Sequence, residues 1–334
     1  MPYPLEVKIL SLKNTLHGKT ILVTGGAGFI GSHLVDKLKE NNKIIIYDNF
    51  YRDSLKFTNF TYEKNIKVVR GDVLNRSLLT KILKEVDIVF HMAAIAGINT
   101  ITKSPITTMK VNLIGTYNIL EGLNEGHIER VILASTSEVY GPYAYLGKED
   151  GPTTQGSVKE PRWSYAVSKL AAEHFVHSYF LEKGLPSTII RYFNIYGPRQ
   201  TGESAIHKFI SSAIKNEPLV IYGDGLQIRA WCFVDDAIEG TILSAIKEEA
   251  IGHVINIGNP KTAITIASLA EKIVETLGSN SNIIYVRKNF PDVELRVPDI
   301  SLAKSLLGYE PRVGLTEGIK KTAEFYKYNL ASLL

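Results

Sequence analysis

The sequence predicts an α/β fold, a doubly wound parallel sheet carrying a smaller α/β cap, and three observations lead there. Short β-rich apolar runs alternate with stretches of helical spacing through the first two thirds of the 334 residues, the pattern of parallel strands joined by crossover helices. A glycine triplet stands at the first strand–helix junction. Past Tyr192 the alternation loses its regularity with no repeat or low-complexity linker, as expected of a second unit threaded onto the first.

The strand signals fall at 20–24, 43–47, 66–69, 88–91, 131–134 and 188–192. Strands this apolar need helices on both faces. The helical spacings between them run through Ile30, Leu34 and Leu38, then Leu78, Leu79, Ile82, Leu83 and Val86, then Val111, Ile114, Ile119 and Leu123. Farther on, loop signals at 194–198 and 223–225 bracket a helix over 204–215, followed by a helix over 235–247 and a strand over 254–257. A helix capped by Thr265 runs to Leu277 and stops at Gly278, and 315–328 is amphipathic again. The division expected is an N-terminal extension (1–18), a nucleotide-binding unit (19–193, with 228–258 returning to it) and a cap (194–227 and 259–334).

Composition narrows the class. Hydrophobic residues make up 45% and charged residues 22%, ordinary for a globular chain. The net charge of +4 is dispersed along the sequence, whereas nucleic-acid binding calls for a clustered basic stripe. No apolar run approaches the ~20 residues that span a bilayer, and Met1 to Lys19 holds no signal-peptide core. A single cysteine, Cys232, cannot form an internal disulfide and reads as packing. The expectation is a cytoplasmic protein without nucleic-acid or membrane partners and without a metal.

Gly25, Gly28 and Gly31, three apart, open the first helix directly after the first strand. Glycines let the backbone turn tightly and approach a pyrophosphate, which rests at the positive helix end. Asp48 closes the second strand twenty residues after Gly28, where an acid accepts hydrogen bonds from a ribose 2′-hydroxyl and repels a 2′-phosphate. Strand, loop, helix and acid together make a Rossmann-type site with NAD, not NADP, as its cofactor. Asp72, after the third strand, could receive the adenine amino group or cap the following helix.

Tyr165 and Lys169 stand four apart at the start of a helix and so share a face. An ammonium beside a phenol favours the phenolate, and such a phenolate can take a hydroxyl proton while the carbon loses hydride to a nicotinamide. The fifth strand ends in Ser135-Thr136-Ser137-Glu138, a concentration of hydroxyls and an acid at the carboxyl edge, where open α/β sheets bind ligands.

Taken together, the Gly25–Gly31 loop, Asp48, His91-Met-Ala-Ala94, Asn112 in Asn-Leu-Ile-Gly-Thr116, Ser135 to Gly141, Tyr165 with Lys169, and Asn194-Ile-Tyr-Gly-Pro198 resemble the nucleotide-sugar epimerase/dehydratase/decarboxylase family of extended short-chain dehydrogenases/reductases, over residues 19 to 328. The resemblance implies NAD along Gly25, Gly28, Phe29, Ile30 and Gly31, at Asp48, Asn49, Asp72 and Val73, and at Ala93, Ala94 and Asn112, with Tyr165 and Lys169 reaching it. It implies Tyr165 as base, Lys169 as its partner, Thr136 as the hydroxyl sharing the substrate proton, and Glu138 as a further catalytic group. Substrate contacts fall on Ser137, Arg162, Asn194, Arg229 and Arg296, the last two on the sugar diphosphate, for which guanidinium forks are suited. It also implies a homodimer formed through helices near 106–123 and 164–183.

Members of this family oxidise the sugar first, usually at C4. Thr136-Ser137-Glu138 is similar to the trio of UDP-glucuronate decarboxylases, and Glu160-Pro-Arg-Trp-Ser-Tyr165 resembles a decarboxylase string whose arginine lies near the substrate carboxylate, here Arg162. The resemblance therefore implies UDP-glucuronate decarboxylation to UDP-xylose or its 4-keto form. Two departures keep nucleotide-sugar 4-epimerisation and 4,6-dehydration open. GDP-mannose dehydratases also carry Thr-Ser-Glu, and Tyr165-Ala-Val-Ser-Lys169 is a string that epimerases and dehydratases share. A non-enzymatic NAD-sensing protein is the other class of reading; intact Tyr165, Lys169, Thr136 and Glu138 argue against it.

Overall fold

A computed structural model describes residues 16–123, 127–287 and 292–329; the first fifteen residues of the expected N-terminal extension lie outside it. Seven parallel strands form the central sheet in the spatial order Val254–Ile257, Ser187–Tyr192, Arg130–Thr136, Ile88–His91, Thr20–Thr24, Lys43–Asp48, Ile66–Arg70. Each strand sends alternate side chains to opposite faces, and both faces are apolar. Ile21, Val23, Ile44, Ile46, Phe90, Ile132 and Ile190 enter one core, covered by the helices Phe29–Leu38 and Val234–Ile246. Leu22, Ile45, Val89, Val131, Leu133 and Ile189 enter the other, covered by Arg76–Leu83, Gly115–Gly122 and Trp163–Lys183.

The expected helix through Val111 to Leu123 is interrupted. Pro105–Met109 runs into a wide π-type turn over Lys110–Ile114 before the α-helix resumes at Gly115. The turn admits close packing on the neighbouring loop, because a Cβ at Gly115 would lie 2.5 Å from a Val73 methyl. It also buries the Asn112 amide.

The cap is built on a four-stranded sheet in the order Ala263–Thr265, Ile228–Ala230, Leu295–Pro298, Tyr143–Gly147. Two of these strands depart from the sequence reading. Ile228–Ala230, assigned by the pattern to the segment returning to the nucleotide-binding unit, pairs instead with Leu295–Pro298 and Ala263–Thr265. Cys232–Phe233 pairs with Ile195–Tyr196, and the return to the central sheet is made by the helix Val234–Ile246 and the strand Val254–Ile257. Tyr143–Gly147 has no strand-like alternation in sequence and is exposed on most of its length; its pairing with Leu295–Pro298 defines it. A two-stranded parallel sheet (Leu219–Tyr222 with Ile283–Val286) and the helices Ala205–Lys215, Ile266–Leu277 and Leu315–Tyr328 complete this unit. Thr265 caps Ile266–Leu277 by accepting from the Ser268 N–H, and Gly278 ends it with φ +59°.

Helix Leu315–Tyr328 reaches the buried Tyr196 through Gly318, where a Cβ would collide with the phenol oxygen. Gly318→Ala should therefore destabilise the protein by about 1–3 kcal/mol, the range for overpacking a filled core, measured as a lowered urea midpoint at unchanged m-value.

Candidate active site

The glycine loop is shaped by backbone crowding. Gly25 adopts φ +69°, and a Cβ on it would lie 2.6 Å from the Ala93 nitrogen; one on Gly31 would strike the Gly25 carbonyl oxygen. Gly28 starts the helix that continues through Phe29 and Ile30, and no side chain caps it, so its first N–H groups are available to an anion. Asp48 is tied into the loop: one carboxylate oxygen accepts from the Ala27 N–H at 3.0 Å, the other from the Phe50 N–H at 2.7 Å. Burial raises the Asp48 pKa, while those N–H groups lower it. Asn49 donates to Asp72 at 3.2 Å, and Asp72 also accepts from the Leu74 N–H. The helix that follows is capped by Asn75, whose side chain accepts from the Leu78 N–H, so the capping alternative for Asp72 does not hold.

Val73 is buried, and its carbonyl accepts from Asn118. Ala93 receives the close approach of Gly25, and its N–H points at the Thr24 hydroxyl at 3.3 Å; Ala94 beside it is exposed. Asn112 is consumed within the protein. Its amide accepts from the Ile95 N–H and donates to the Ile95 carbonyl and to Ser168, pinning the 91–97 segment to the helix that carries Tyr165.

Tyr165 and Lys169 occupy the first turns of Trp163–Lys183. Thr136, at the end of strand Arg130–Thr136, favours the Tyr165 phenolate; burial nevertheless pushes the phenol up to about 12, with the Glu138 charge adding to the rise and Arg52 opposing it. The lowering expected from the Tyr-x-x-x-Lys spacing is absent in the protein alone. Lys169 is itself buried, its ammonium has no hydrogen-bond partner, and burial draws its pKa down to about 8 against the charge of Glu173. A buried, unpartnered ammonium, an uncapped helix start and a loop too tight for side chains fit a dinucleotide, whose ribose hydroxyls and pyrophosphate supply the missing partners.

Thr136 also accepts from the Glu138 N–H at 3.2 Å. Glu138 is held by Arg162 at 3.0 Å, with Arg296 at 3.8 Å. Arg296, almost fully buried, donates to the Ser137 hydroxyl at 3.2 Å and to the Gly141 carbonyl, and burial lowers its pKa to about 10. Arg162 and Arg229 each lie 3.3 Å from Asp292. Sequence reasoning separated Arg162 from Arg229 and Arg296; the fold gathers all three around Glu138 and Asp292. Asp292 was missed because nothing local marks it, its neighbours on the cluster being 63 and 130 residues away in sequence. Asn194, at φ +40°, donates its amide to the carbonyl of Ala230, the residue after Arg229.

The NAD dependent epimerase/dehydratase family model matches residues 21–258. A UDP-N-acetyl-alpha-D-glucosaminuronate decarboxylase of Bacillus cytotoxicus is 38% identical, covering 92% of this chain and 98% of that protein. UDP-glucuronic acid decarboxylase 1 of Xenopus tropicalis is 36% identical, covering 98% and 76%. Among solved structures, the UDP-glucuronic acid 4-epimerase of Bacillus cereus in complex with UDP-glucuronic acid and NAD superposes with a TM-score of 0.84 at 33% identity, covering 92% of this chain and 99% of that one.

Two N–H groups and an acid at the second strand set a cofactor test. NAD should bind far more tightly than NADP, and Asp48→Ala should weaken NAD binding about tenfold or more, the scale for losing contacts to a charged acceptor. Calorimetry with both dinucleotides reads this directly; equal affinities for the two in the unmodified protein would remove Asp48 from the ribose.

Proposed function

The chain belongs to the NAD-dependent epimerase/dehydratase family, and we propose that within it the protein decarboxylates a UDP-hexuronate, with UDP-glucuronate as substrate. The observation that carries this reading is the joining of two groups of residues at one strand end. Thr136, whose side chain favours the Tyr165 phenolate, is followed by Ser137 and Glu138, which are gripped by Arg296 and Arg162. A proton acceptor for a sugar hydroxyl thus adjoins buried guanidinium groups that can pair with a carboxylate, which is costly to bury alone. The relatives whose names are decarboxylases of UDP-uronates support the same reading.

In this mechanism Tyr165 takes the C4 hydroxyl proton, with Thr136 donating to the same oxygen. NAD, when bound, would supply the hydride acceptor. The ketone at C4 makes the C6 carboxylate a β-keto acid. The C5–C6 bond breaks, CO2 leaves, and its electron pair becomes the C4–C5 enolate, whose oxygen is held by the Tyr165 and Thr136 hydroxyls. A proton from water at C5 would give the 4-keto pentose, and Tyr165 would return its proton to the C4 oxygen to give the UDP-pentose, the hydride coming from the reduced dinucleotide. Arg162 is the assigned partner of the substrate carboxylate, Ser137 donates to it, and Arg229, Arg296 and Asn194 are assigned to the diphosphate side. Arg296 also donates to Ser137, beside the proposed carboxylate partner. A C2-acetamido uronate is the second substrate to test, favoured by the Bacillus cytotoxicus relative.

The assembly proposed is a homodimer through helices near 106–123 and 164–183. Supporting it, Ile106, Ile114, Val167 and Phe175 are exposed on these helices, and Tyr117 packs on Phe175 across them. Light scattering at micromolar concentration should give about twice 37.1 kDa; a monomer would reject this arrangement.

The reaction is tested by incubating the protein with UDP-glucuronate and its C2-acetamido analogue, and identifying products by mass and NMR. CO2 and a UDP-pentose are expected; UDP-galacturonate alone would make the protein a 4-epimerase. Tyr165→Phe should lower turnover ~10²-fold or more. Arg162→Met should lower kcat/KM on the uronate by about 2 kcal/mol, roughly thirty-fold, as one charge-assisted contact is lost, with affinity for UDP hardly changed.

A further inference from the structure

Below the base lies a buried ion pair to which the reaction assigns nothing. Glu173 follows Lys169 by one helical turn, on the same face as Tyr165 and Lys169. Its carboxylate receives three bonds from Arg191, at 3.0, 3.2 and 2.7 Å, and the Ser135 hydroxyl. Both partners are about 5% exposed. Ser135 precedes Thr136 on its strand, so this carboxylate holds the residue next to the one whose side chain favours the Tyr165 phenolate. Arg191 continues to the Tyr140 hydroxyl and the Glu149 carbonyl, and Tyr140 donates to Asn256. Asn256 in turn holds the Gly147 and Asp299 carbonyls, at the ends of the two cap strands that flank the arginine cluster.

Burying an ion pair this deeply in a sheet is seldom a gain in stability over apolar residues of the same volume. Its placement is better explained by what it faces. We propose that Glu173 is a positioning residue of the proposed reaction, its carboxylate fixed by Arg191 so that it anchors Ser135 beside Thr136 and presents a negative charge to the Lys169 ammonium. The groups around that ammonium leave it little other electrostatic support. His91, from strand Ile88–His91, is locked between Thr24 and Thr116 and held neutral by burial, its pKa down at about 3. Tyr165 on the same helix is a neutral phenol, Ser135 and Thr136 are uncharged, and Arg191 is a second cation whose charge Glu173 screens. Among the described residues, Glu173 is the charge that raises the Lys169 pKa against burial. A folded-state value drawn down to about 8 means that the ammonium is present at neutral pH and lost as pH rises through 8.

Two variants test this: Glu173→Gln, and Glu173→Gln combined with Arg191→Met, which removes both buried charges and keeps the fold accessible. The readout is the pH at which the Lys169 Nζ gives up its proton, followed by NMR on 15N-lysine-labelled, NAD-bound protein. It needs no substrate, so a wrong substrate would leave it intact. Without Glu173 the midpoint should fall by about one pH unit or more in the single variant, where Arg191 is left uncompensated, and by less in the double variant. The alkaline limb of turnover should move in the same order. The melting temperature should drop in the single variant and recover in the double. A midpoint equal in all three proteins, or failure of both variants to fold, would reduce Glu173 to a structural role and overturn the proposal.

Discussion

Parallel pairing of every strand in the central sheet is the constraint on which the rest depends. Because the strands all run one way, their carboxyl ends share one edge, and a right-handed crossover must return the chain to the opposite edge after each of them. The edge therefore collects residues remote in sequence: Gly25 after the first strand, Asp48 on the second, Ala93 after the fourth, Thr136 on the fifth. The same constraint makes both faces of the sheet apolar. Polar chemistry is pushed to the edge, where helix starts and loops can satisfy it.

That edge carries an unusual load of buried cations. Lys169 and Arg296 each retain an unsatisfied nitrogen, and Arg191 is satisfied only through Glu173, Tyr140 and the Glu149 carbonyl. A positive interior of this kind suits a ligand with several anionic groups. The three cations are not equivalent. Arg191 has a dedicated carboxylate, Arg296 shares Glu138 with Arg162, and Lys169 has only the field of a carboxylate already engaged.

The sheet and the cofactor loop were legible in sequence because their determinants are local. Three glycines, one acid and a run of apolar residues act within a few positions of one another, and strands such as Thr20–Thr24 and Ile88–His91 end where the pattern says they end. What escaped is set by distant partners. Tyr143–Gly147 becomes a strand only beside Leu295–Pro298. Asp292 acquires meaning only next to Arg162 and Arg229. Nothing local to Asn112 announces the π-type turn that directs its amide to Ile95 and Ser168. The Tyr165 phenol shows the same limit in electrostatics: spacing places Lys169 on its face, while the burial that raises its pKa belongs to the folded environment.

The proposed reaction and its epimerase relative share their first half, which explains why a chain can superpose on a 4-epimerase and still resemble decarboxylases in sequence. Both begin with a ketone at C4, and on a uronate that ketone activates the C5–C6 bond whether or not the bond is meant to break. Outcome then turns on the carboxylate's orientation. A C–C bond perpendicular to the carbonyl plane feeds its electrons into the enolate; one lying in that plane does not. The groups that can set this angle are those fixed around the end of strand Arg130–Thr136: Ser137 held by Arg296, and Glu138 held by Arg162. Glu138 already occupies a guanidinium of Arg162 in the protein alone, so a substrate carboxylate must share that arginine with it or displace it. Sharing places two carboxylates side by side, and that repulsion is relieved when one of them departs as neutral CO2. On this reading Glu138 favours bond cleavage by its charge and position, with no need to move a proton.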